Sequence, residues 1–71
     1  MSMLEDIADR LAKRTLDVLE RVDDEFLPRK VEEAIGNASP TLKEAYATAI
    51  RIRRAERAAI AVLDRIGGPE R

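Results

Sequence analysis

Neither Gly nor Pro interrupts the chain between Met1 and Leu27, or between Thr41 and Ile66. Those two residues are the strongest local punctuation in a sequence, so two long unbroken stretches admit few folds. Within both stretches the apolar residues recur at spacings of three and four. The last gives Leu42, Ala45, Ala49, Ile52, Glu56, Ala59, Leu63 and Ile66, a heptad seam with one polar member. The first gives Leu4, Ala8, Leu11, Thr15, Val18 and Val22 in the same rhythm. Such spacing belongs to helices and excludes the strict alternation of half-buried strands.

Local signals set the expected boundaries. Ser2 followed by Glu5 has the spacing of a capping box, in which hydroxyl and carboxylate each satisfy a free amide of the first turn. A helix over about 3–27 follows, with Leu27-Pro28 as its stop. Pro28 suits the first turn of a second helix over 28–35, closed by Gly36-Asn37. Ser39-Pro40 then reads as cap and first residue of a helix over 40–66, which Gly67-Gly68-Pro69 ends, leaving a frayed tail. The predicted fold is all-α: one domain, an antiparallel helical hairpin of two long helices with a short connecting helix. Residues 1–27 carry net −4 and residues 40–71 net +3, which favours pairing of the arms, although each exposed pair adds only tenths of a kcal/mol.

Composition narrows the function. At 71 residues there is room for one small core, and such cores rarely supply more than about 3–5 kcal/mol. Without Cys or His, disulfides and imidazole chemistry are absent. The acidic triplets Glu5, Asp6, Asp9 and Glu20, Asp23, Asp24 lack the Gly-centred spacing of a Ca²⁺ loop and read as hydrated faces. No Gly-rich phosphate loop occurs, so the chain reads as a non-enzyme with no cofactor and no metal. Net charge −1 argues against nucleic acid, and Arg51, Arg53, Arg54 and Arg57 read as partners of the acidic first helix. The acidic start and the short longest apolar run, Ala58–Leu63, give no signal peptide or membrane span, and a cytoplasmic location is expected.

A two-helix seam leaves apolar side chains over. Ile7, Ala12, Leu16, Leu19 and Phe26 widen the face of the first helix, while Tyr46 and Ile50 lie off the seam of the last. Wide stripes pack against a third body, so Leu16, Leu19, Tyr46, Ile50 and Ile60 are the expected partner contacts. Thr15 and Glu56, the polar seam members, are the expected register-setting residues.

Taken together, the start Met1-Ser2-Met3-Leu4-Glu5-Asp6 and the stretch from Tyr46 to Gly68, with Ala55 and the run Ala59-Ile60-Ala61-Val62-Leu63, resemble a known group. These are the small needle co-chaperones of type III secretion systems, the cytoplasmic E component. The resemblance implies a short helical hairpin that, with a helical-repeat co-chaperone, keeps a needle subunit from polymerising. Tyr46 lies further behind Pro40 than the aromatic does in that family, a spacing that instead resembles the turn of the needle subunits. Gly67-Gly68-Pro69 would cut short the C-terminal helix of a needle subunit, which favours the co-chaperone. The competing readings are a homodimeric four-helix-bundle regulator, with its arginines as a nucleic-acid contact, and a self-assembling needle-like subunit.

Overall fold

The computed structural model describes residues 2–68, and they are all helix and connecting turn. Helix α1 runs Met3–Leu19, α2 Leu27–Gly36 and α3 Pro40–Gly67. The capping box is formed: the Glu5 amide donates to the Ser2 hydroxyl at 3.2 Å, and the Ser2 amide donates back to the Glu5 carboxylate. Ser39 caps α3 by accepting from the Leu42 amide at 3.1 Å, with Pro40 in the first turn. Gly68, at φ 78° and ψ 171°, takes a positive-φ conformation that glycine alone adopts readily, and ends α3. Gly36 and Asn37 close α2 without it; the turn is held by the Ala38 and Ser39 amides donating to the Ile35 carbonyl. The expected stop at Pro69 and the tail 69–71 lie outside the described residues.

The first long helix is shorter than its pattern suggests. It ends at Leu19 rather than Leu27, so the chain turns well before Leu27-Pro28. Acidic residues crowd this end, no basic residue sits in the last turn of α1, and the helix dipole disfavours both. Asp24 then supplies an alternative to further helix. Its carboxylate accepts from the Phe26 amide at 3.0 Å and from Lys30 Nζ at 2.9 Å, and its carbonyl accepts from the Leu27 amide.

That early turn changes the architecture. Residues 20–26 reverse the chain into α2, and residues 37–39 reverse it again into α3. The contacts between α1 and α3 do not follow a single order along the helices, since Asp9 meets Arg53 while Thr15 meets Tyr46. Leu4 borders the same cleft as Thr41 and Ala45, Leu16 clusters with Ile50, and Glu20 reaches Arg57 at 3.1 Å. α1 thus crosses α3 instead of lining its seam as a second arm. α2 packs on the same helix, where Gly36 faces Lys43 while Val31 and Ile35 pack against the cluster holding Tyr46 and Ile50.

The core is small and sits at one level of the molecule. Ala12, Leu16, Tyr46 and Ile50 form it, with Leu11, Leu19, Val31, Ile35 and Ala49 packed around them. Complete burial of Leu16 and Ile50 contributes about 1.5–3 kcal/mol each. Among the described residues no helix is long and apolar enough to cross a membrane.

Candidate interaction surface

The two faces of α3 have exchanged the roles expected of them. Tyr46 and Ile50, off the heptad seam, are buried against α1 and α2, together with Leu16. Three of the five expected partner contacts are thus core, because α1 meets α3 on the flank of the seam rather than along it. Leu19 is half-buried beside that core, and Ile60 is exposed. The seam itself stays open: Ile52 is 62%, Leu63 67% and Ile66 82% exposed. Ala59 lies exposed between them.

Length explains the open arm. From α3, Arg57 is the residue that reaches the end of α1, through Asp17 at 3.5 Å and Glu20 at 3.1 Å. Residues 58–67 run on for about 15 Å, every one of them exposed. Ala59, Leu63 and Ile66 of the stripe therefore stand on a rod that outruns α1 and α2, every one of them exposed.

At the other end of the same stripe lies a cleft of about 590 Å³. Ala45, Ala49 and Ile52 form its floor, Thr41, Glu44 and Thr48 one edge, and Leu4, Glu5, Ala8 and Asp9 of α1 the wall. Small side chains on α3 leave room that α1 does not fill. Cleft and arm are continuous, since Ile52 belongs to both.

No family model, curated protein or solved structure matches the chain.

Charge pins the cleft wall to α3. Arg53 donates to Asp9 through Nε and Nη2, both at 2.7 Å, and through Nη1 to Glu56 at 3.0 Å. The paired guanidinium holds the Asp9 carboxyl below its usual value of 3.8, outweighing a smaller desolvation effect that pushes the other way. The Arg53 guanidinium is pushed up in turn, chiefly by Asp9 and then by Glu56. Arg53 and Arg57 thus engage acids of α1, as their charge predicts, and Arg51 and Arg54 remain exposed.

The two polar residues expected to set register part company. Thr15 is buried, donates to the Leu11 carbonyl at 2.8 Å and lies 2.8 Å from the Tyr46 phenol. Glu56 is exposed on the seam beside Arg53. α1 crosses α3 so that Thr15 meets Tyr46 while Asp9 meets Arg53, which leaves Glu56 away from Thr15. No group of three acidic side chains among the described residues converges as a metal site would require.

The sequence missed the cleft because a heptad pattern states which face is apolar and not which neighbour takes it. One signal was present. Ala45 and Ala49 precede Leu63 and Ile66 on the same seam, so the stripe is small-sided at one end and large-sided at the other.

Proposed function

We propose that the protein is a non-enzymatic helical interaction module that docks another protein along the open seam of α3, and that it acts in the cytoplasm as a co-chaperone of the type III secretion needle kind. The observation that carries this is the exposed stripe Ile52, Ala59, Leu63 and Ile66 on an arm that outruns its neighbours. A free apolar stripe of this kind costs solubility, and a partner helix relieves that cost by covering it.

The co-chaperone reading draws on the likeness of Tyr46–Gly68, the segment that holds the whole exposed arm. A needle subunit polymerises through an amphipathic helix, and an apolar seam on a rigid rod is a suitable cover for one. The contact residues are revised accordingly: Ile52, Ile60, Leu63 and Ile66 replace Leu16, Tyr46 and Ile50, which the core already uses. The needle subunit and a helical-repeat co-chaperone remain the proposed partners, with no cofactor or metal.

Co-expression with the products of neighbouring reading frames, followed by affinity capture through this chain, tests the reading. A stable complex is expected, and Leu63→Arg should abolish it while leaving the helical content of the free chain unchanged. Absence of any complex at about micromolar concentration overturns it.

A further inference from the structure

We propose that the seam of α3 is self-complementary and that, in the absence of another partner, a second copy of the chain occupies it, laid antiparallel with the twofold axis at Glu56. This rests on the reading of the seam as a docking face and names its resting occupant.

Side-chain size is the main argument. In an antiparallel pair centred on Glu56, Ala45 faces the partner's Ile66, Ala49 the partner's Leu63, and Ile52 the partner's Ala59. Each layer sets a large side chain against a small one, which fills space without strain. A parallel pair would set Leu63 on Leu63 and Ala49 on Ala49, crowding one end and leaving a void at the other. Place agrees with size. The cleft lies in front of Ala45 and Ala49, and the residues aligned with it are the large ones from the overhanging arm. One end of each molecule has room without filling, and the other has filling without room.

Charge sets a cost in this register. On the axis two Glu56 carboxylates approach each other, each already held by its own Arg53 at 3.0 Å. This polar layer weakens the pair and fixes its register, as buried polar seam residues do. A second copy held in this way is exchangeable, so a tighter apolar helix can displace it.

The test uses the full chain, which has no cysteine of its own. Sedimentation equilibrium over a dilution series should show a reversible dimer. Leu63→Arg should raise the dissociation constant more than about tenfold without loss of helicity, and Glu56→Leu should lower it. Under mild oxidation Glu56→Cys should cross-link to itself, and a mixture of Ala49→Cys and Leu63→Cys should form the mixed disulfide. A chain that stays monomeric at about 100 μM overturns the proposal, as does Leu63→Cys linking to itself faster than Glu56→Cys. These failures differ from failure of the docking reading. A monomer whose co-expressed complex is lost in Leu63→Arg discards only self-pairing, whereas a complex indifferent to Leu63→Arg discards the seam as a docking face.

Discussion

The Thr15 hydroxyl and the Tyr46 phenol lie 2.8 Å apart inside the core and join α1 to α3. Thr15 spends its single proton on the Leu11 carbonyl at 2.8 Å, so the phenol is the donor of the pair. The two ends of this bond are consequently unequal. Tyr46→Phe removes a donor and leaves Thr15 with its other partner, at a cost of about 0.5–1.5 kcal/mol. Thr15→Val strands a buried phenol with no acceptor and costs about 1–3 kcal/mol. Urea denaturation of both variants should rank Thr15→Val as the less stable, and the reverse order would contradict the assigned direction.

Tyr46 also gives the fold an alkaline limit. Burial raises its phenol above the usual 10.0. The folded form holds this proton more tightly than the unfolded form. The associated stability is complete below pH 10 and is lost as pH rises through the folded value. Tyr46 is the only tyrosine and there is no tryptophan, so its ultraviolet titration can be followed without interference. The titration should lie above that of the urea-unfolded chain, and Tyr46→Phe should flatten the alkaline loss of stability.

Much of the local structure was legible, because caps act within one turn. Ser2 with Glu5, and Ser39 with Pro40, mark the starts of α1 and α3 where the pattern puts them. The end of α1 was not legible by the same route, since apolar spacing continues to Val22 while the Asp24 turn competes with the helix. Losing that end made α1 a short helix that meets α3 on its flank. Leu16, Tyr46 and Ile50 were read as spare apolar surface for this reason. They are spare only if α1 occupies the seam.

Asp24 is therefore a test of what decides the topology. With Asp24→Ala, the Phe26 amide and Lys30 both lose their acceptor, and the chain loses the bond set that stops it continuing as helix. The variant should melt a few degrees lower, and its isolated 1–27 peptide should be more helical than the parent peptide by circular dichroism. An unchanged melting temperature would assign the turn to Pro28 instead.

Core and seam should respond differently to the same truncation. Leu16→Ala opens a cavity against Ala12, Tyr46 and Ile50 and should cost about 2–5 kcal/mol. Leu63→Ala removes a side chain that touches solvent in the single chain, and at concentrations too low for self-pairing it should change stability by less than about 0.5 kcal/mol. Equal losses in dilute denaturation experiments would mean that the arm folds back onto the molecule.

The acid side of the stability curve should depend on the cleft wall. The Asp9 carboxyl titrates below 3.8 in the folded chain because Arg53 grips it with two parallel hydrogen bonds, and Asp24 is lowered too by Lys30 and the Phe26 amide. A depressed folded value means that the unfolded chain takes up protons first as pH falls. The stabilisation is full above the unfolded value and disappears as pH drops through the folded one. Asp9→Asn removes that dependence at one site, so its melting temperature should already be lower at neutral pH and fall less steeply below pH about 4. Arg53→Lys separates charge from geometry. Lysine keeps the positive charge without the planar fork, so the acid slope should shrink without vanishing. Should both variants follow the parent curve through pH 2–5, the Asp9–Arg53 pair would not be what ties α1 to α3 at this end.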